Sequence, residues 1–248
     1  MNRKMTEHAE AVHEQRRRFL AQALSSGLLV GGLGWNLPAM ASWFGRLPGK
    51  LPQGKSVFDL SGDVRINGVR ANRDTQIDAE SSIETGEGSF AVIAIGDGAF
   101  ILREKSALEI GGKKLLVRSL RMLSGALLSV VGHRNDDERI IMNTPVATIG
   151  IRGTGFYTEA QPDRTYFCTC YGHTELATAD GTESASIRSK HHDAARYILA
   201  HPEDGKRIIA APFKNHTDLE LMTLEALCGR TVPFPVSQER YESPHRDY

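Results

Sequence analysis

Two cysteines one residue apart, in Tyr166-Phe167-Cys168-Thr169-Cys170-Tyr171-Gly172-His173, are the side chains of this 248-residue chain best suited to chemistry. On an extended strand, positions i and i+2 point to the same face, so Cys168 and Cys170 present two sulfurs side by side. His173 follows directly after a glycine, and His191-His192 comes further along the chain. Thiolates and imidazoles together suit Zn or Cu, which makes an exported metal-binding or redox protein one reading of the chain. The one-residue gap differs from the two-residue gap usual in zinc knuckles. The same thiols also fit two structural roles. They serve as small apolar core residues beside Tyr166 and Phe167, or one of them pairs with Cys228 in a disulfide and leaves the other free. Adjacent residues on a strand face opposite ways, so only one of His191 and His192 joins a common site, and Asp193 turns the chain.

Arg152 is the other side chain singled out, in Gly150-Ile151-Arg152-Gly153-Thr154-Gly155. Its guanidinium either clamps a ligand carboxylate or satisfies an acidic side chain of the fold itself. No catalytic residues are assigned. The chain has no Gly-x-Ser-x-Gly elbow, no His-Glu-x-x-His pair and no Gly-rich phosphate loop opening a helix. Asn215-His216-Thr217 has the spacing of a glycosylation acceptor, but its threonine is better used as a helix cap.

The elements that position these residues read as all-β. Phe58 and Leu60, Val64, Ile66 and Val69, Phe90, Val92 and Ile93, and Phe100, Leu102 and Leu108 mostly alternate, as half-buried strands do. Turn signals separate them at Gly62-Asp63, Asn67-Gly68, Gly86-Glu87-Gly88, Gly96-Asp97-Gly98 and Gly111-Gly112. Leu115 to Val131 fits a helix face or strands; Gly125 and the β-rich surroundings favour strands with a turn near Ser124-Gly125. Arg134 to Arg139 reads as a polar hairpin tip. Thr217 with Glu220 three residues later is a capping box, which predicts a short helix over 217–228 stopped by Gly229. The expected domains are a β domain over 57–200, a C-terminal extension over 201–235 and a polar tail from Val236.

The N-terminal part is different in kind. Arg16-Arg17-x-Phe19-Leu20 resembles the twin-arginine export signal, and a charge-free run leads from it to the small-x-small site Ala39-Met40-Ala41. Residues 1–41 therefore read as a signal peptide and 42–56 as a linker, with the bacterial periplasm as destination. An uncleaved anchor through Phe19 to Trp43 is the alternative, and it would be the chain's only contact with the membrane. The first 41 residues hold five of the 30 Lys and Arg and three of the 30 Asp and Glu, which leaves 25 basic against 27 acidic side chains. Such a balance carries no electrostatic footprint for nucleic acid.

Two segments together resemble the FecR domain. One runs Gly62-Asp63-Val64-Arg65-Ile66-Asn67-Gly68, followed by Ile83-Glu84-Thr85-Gly86-Glu87-Gly88-Ser89-Phe90-Ala91 and Asp97-Gly98. The other is Asn143-Thr144-Pro145-Val146-Ala147-Thr148-Ile149-Gly150-Ile151-Arg152-Gly153-Thr154-Gly155-Phe156. The resemblance implies a β-roll or solenoid-like fold and a role in sensing or transmitting an envelope signal, without turnover and without a cofactor. Its founding regulators carry a cytoplasmic domain that holds a sigma factor. Only 15 residues precede Arg16, so that role is not expected here. The expected partner is an envelope protein or a small ligand.

Overall fold

Alternation between apolar and polar residues decides which face of a strand each side chain takes, and here it builds one large sheet. The computed structural model describes residues 47–135 and 138–235. The export residues Arg16, Arg17, Phe19, Leu20, Ala39 and Ala41 and the tail from Val236 lie outside the described residues. Seven short strands come first: β1 (Val57–Ser61), β2 (Val64–Ile66), β3 (Val69–Arg70), β4 (Ser82–Thr85), β5 (Phe90–Ile95), β6 (Gly98–Leu102) and β7 (Ala107–Lys113). Three long ones follow, β8 (Leu116–Val131), β10 (Ala147–Ala160) and β11 (Arg164–Thr178), with β9 (Ile140–Asn143) between the first two. Then come β12 (Ser184–Ser189), β13 (Ala194–Glu203), β14 (Lys206–Ala210) and the helix α1 (Asp218–Leu227).

The long strands hand over from one partner to the next, and this rolls the sheet. β8 pairs with β7 and β9 along its first half and with β6 and β10 along its second. β11 pairs with β13 at its start and with β12 at its end, while β10 runs beside it throughout. The main path runs from β14 to β3 without closing. Side chains then sort by parity. Ile93, Phe100, Leu127, Phe156 and Phe167 fill the inner core. Their neighbours Val92, Ile101, Leu128, Tyr157 and Cys168 face outward, where Leu221, Leu224 and Leu227 of α1 cover them.

Three local expectations give way to the roll. The chain does not turn at Ser124-Gly125; β8 continues through it with a bend. Gly125 has φ +81°, and a Cβ there would lie 2.5 Å from Ser106 Cα, so a glycine lets the strand leave β7 at close quarters. Gly111-Gly112 is likewise no turn but a bulge within β7, where the register against β8 shifts. Nor is Arg134 to Arg139 a polar hairpin tip. The connection carries the chain back so that β9 lies parallel to the first half of β8, the one parallel pairing among the described residues. Arg134 is buried in it, 2.5 Å from Asp97.

The helix forms as its sequence predicts. Thr217 Oγ1 accepts from the Glu220 N–H, and the Glu220 carboxylate accepts from the Thr217 N–H at 2.8 Å. At the other end Gly229 has φ +76°, with Gly229 N–H to Ala226 O at 2.9 Å and Arg230 N–H to Glu225 O at 2.9 Å, a Schellman stop. β13 and β14 continue the sheet to Ala210, beyond the expected domain edge at 200. The linker packs as well, since Leu51 N–H donates to Leu227 O at 3.0 Å. Among the described residues no helix is long and apolar enough to cross a membrane.

Candidate metal centre

Period two on β11 puts both thiols on the outer face, under α1, where both are wholly buried. Two further segments reach the same point. The turn between β12 and β13 brings His192, and the chain entering α1 brings His216. One ligand atom from each of Cys168, Cys170, His192 and His216 lies within 4.8 Å of all the others. Cys168 Sγ is 3.8 Å from His192 Nδ1, and His192 Nδ1 is 3.1 Å from His216 Nε2.

The outer nitrogens of both imidazoles are held. His192 Nε2 meets Asp218 Oδ1 at 3.0 Å, and His216 Nδ1 meets the Lys214 carbonyl at 2.7 Å. Aromatic rings close the surroundings, with Phe213 4.5 Å from His192 and Tyr157 stacked 4.6 Å from His216. The two thiols are driven apart in acidity. The Cys170 hydrogen bond holds Cys168 well below the usual thiol range against the effect of burial, and His216 and His192 add to it. Burial, with Cys168 next to it, pushes Cys170 well above that range. Burial disfavours a charge on His192, but Asp218 and Cys168 outweigh it and raise its pKa. Asp218 is lowered despite burial, because His192 and His191 donate to it.

Of the five metal candidates in the sequence, the structure brings Cys168, Cys170 and His192 together. His191 stands to one side, bonded to Asp218 at 2.8 and 3.0 Å and packed 4.3 Å from Phe234. The two histidines do not alternate along a strand, for they sit in a turn in which His192 has φ +54°. Asp193 makes that turn by accepting from the Lys190 N–H at 2.9 Å and the His191 N–H at 3.2 Å. His173 is elsewhere: the register against β10 shifts at Cys170 and again just past Gly172 (φ +93°), and His173 Nε2 bonds Ser186 Oγ at 2.9 Å. Cys228 is a free thiol at the end of α1, raised to about 11 by burial, and all three cysteines are unbridged. His216 and Asp218 are the residues that sequence reasoning missed. Both belong to the capping segment, where helix chemistry already accounts for them.

Arg152 lies in the bulged part of β10, where Ile151 and Thr154 bracket a register shift against β11. Gly153 there has φ +95°, and a Cβ would sit 2.4 Å from His133 Cα. The Arg152 guanidinium donates to Glu175 Oε1 at 2.6 Å, and Glu175 also takes Arg139 at 3.2 Å. Arg152 and His173 line an open cleft of ≈ 560 Å³ together with His133, Arg134 and Arg188. Arg152 thus pairs with an acidic side chain of the fold and also stands on the wall of a basic cleft.

Among the described residues the fold is a mostly β module with one capping helix. Residues 81–173 match the family model described as FecR protein, a stretch that holds Ile83 to Ala91, Asp97-Gly98 and the Asn143 to Phe156 motif but not Gly62 to Gly68. That match supports a signalling or regulatory role. Two solved structures are similar, each described as "a putative anti-sigma factor from Parabacteroides distasonis ATCC 8503", each 13% identical with a TM-score of 0.43. Each covers 52% of this chain and 58% of its own, so the likeness spans little more than half of either. No curated protein matches the chain.

Proposed function

We propose that the chain is an exported, non-enzymatic FecR-domain module of the bacterial cell envelope that acts in signalling by binding a partner. The observation that carries this reading is the FecR match over residues 81–173. The use of the motif supports it, because its polar side chains hold their own strands. Thr144 Oγ1 and Thr165 Oγ1 are 2.6 Å apart, Thr148 donates to Asn143 at 3.1 Å, and Arg152 is engaged by Glu175. A signature spent on architecture marks a scaffold, and the twin-arginine-like start supplies the compartment.

The test is genetic. A strain lacking the chain should show an altered transcript profile that the wild-type gene restores and an Arg16→Lys/Arg17→Lys variant does not, with that variant retained in the cytoplasm. Periplasmic accumulation unchanged by the double substitution would remove the twin-arginine assignment. Full restoration by the cytoplasmic form would overturn the envelope role, and turnover of a substrate by the purified chain would overturn the binding-module reading.

A further inference from the structure

We infer that Cys168, Cys170, His192 and His216 form a closed tetrahedral Zn²⁺ site that clips the entrance of α1 to the outer face of the sheet.

The hydrogen bonds around the imidazoles fix where their lone pairs point. An ionised carboxylate and a backbone carbonyl only accept, so the proton of His192 sits on Nε2 toward Asp218 and that of His216 on Nδ1 toward Lys214 O. With both rings neutral, the remaining nitrogens, His192 Nδ1 and His216 Nε2, carry the lone pairs and face each other at 3.1 Å, in surroundings closed by Phe213 and Tyr157. Two lone pairs at that separation repel unless a proton or a metal ion lies between them. A cation between them removes the repulsion and also takes the two sulfurs next to them. The spacing fits, because Zn–N bonds of about 2.0–2.1 Å and Zn–S bonds of about 2.3 Å place tetrahedral ligand atoms roughly 3.3–3.8 Å apart. The observed 3.1 and 3.8 Å lie close to those edges, and all four ligand atoms fall within 4.8 Å of one another.

The outer shell is also that of a metal site. Ligating histidines almost always give their second N–H to a carboxylate or a carbonyl, which is the role of Asp218 and of Lys214 O. With four protein ligands and no open position, the site is structural. Its ligands come from β11, from the β12–β13 turn and from the chain just before Thr217, so the ion ties α1 to the sheet. This inference stands apart from the signalling reading and survives the failure of that reading.

Full-length protein purified without metal-affinity resin should contain about one zinc per chain by elemental analysis. Cys168→Ser/Cys170→Ser and His216→Ala should each lose it, whereas His173→Ala should keep it. A ligand variant that fails to fold is bypassed by stripping the wild type and adding Co²⁺, which should give thiolate-to-cobalt charge-transfer absorption and the intense visible bands of a tetrahedral site. Protease should then cut the stripped chain between Pro212 and Thr217 faster than the loaded one. Absence of metal together with no cobalt spectrum overturns the site. Copper in place of zinc overturns the metal assigned, and equal cutting of stripped and loaded protein overturns the clip.

Discussion

Thr217 and Glu220 do two jobs at once. Their reciprocal bonds cap α1, and Glu220 Oε1 also takes Arg103 at 2.7 Å, with the carboxylate 4% and the guanidinium 18% exposed. Removing the two side chains therefore costs different amounts. Thr217→Ala deletes a neutral cap and should lower stability by about 1 kcal/mol. Glu220→Ala removes both the cap acceptor and the carboxylate that Arg103 pairs with in the packed interior, and should cost about 3–5 kcal/mol. Urea melts of the two variants check this, and equal losses would mean that the ion pair contributes nothing beyond the cap. The capping box was readable from two residues and their spacing. The pairing with Arg103 was not, since 117 positions separate the partners and an acidic residue in a helix's first turn reads as solvent-facing. His216 was hidden in the same way. No local spacing links it to Cys168, and only the roll of the sheet brings the two together.

At the scale of elements, β10 and the segment entering α1 are joined through Glu159. Its carboxylate takes Lys214 Nζ at 2.7 Å, Asn215 Nδ2 at 2.7 Å and the Tyr157 hydroxyl at 2.9 Å. Burial alone would raise its pKa, but Lys214, Asn215 and Tyr157 outweigh it and hold the group below the ordinary 4.5. A carboxylate whose folded pKa is depressed adds stability above its unfolded value, and that stability is lost as pH falls through the folded value. Glu159→Gln should thus cost on the order of 1–2 kcal/mol at pH 7, with a gap from wild type that narrows below pH 4.5. A gap that stays constant down to pH 3 would show that the carboxylate's charge plays no part. Strand existence was legible because alternation is a local signal, as in Phe90 to Ile93 or Phe100 to Leu102. The pairing was not. Gly125 looks like a turn residue in sequence, yet with β6 and β10 waiting on its far side it serves as a bend, and no local pattern announces that β9 will run parallel to β8.

Over the whole molecule, one sheet presents apolar side chains on both faces, and the two faces are closed by different means. The roll encloses the inner face. The outer one, with Phe58, Val92, Ile101, Val130, Tyr166 and both thiols, depends on α1 and Phe234 for its cover. Each of the buried Leu221, Leu224 and Leu227 contributes about 1.5–3 kcal/mol by leaving water, so the helix is a substantial part of the fold rather than an appendage. Its three acidic residues Asp218, Glu220 and Glu225 are buried too, each with a partner: His192, Arg103, and Arg230 with Tyr171. Ending the chain at Pro212 should therefore leave the inner core intact and uncover the outer patch. Far-ultraviolet circular dichroism should still be dominated by strand, while binding of a hydrophobic dye and self-association rise sharply, since exposed apolar patches of this kind recruit any available surface. A truncated chain that stays monomeric and dark to the dye would show that the sheet covers this face without the helix, and the role assigned to α1 would fall.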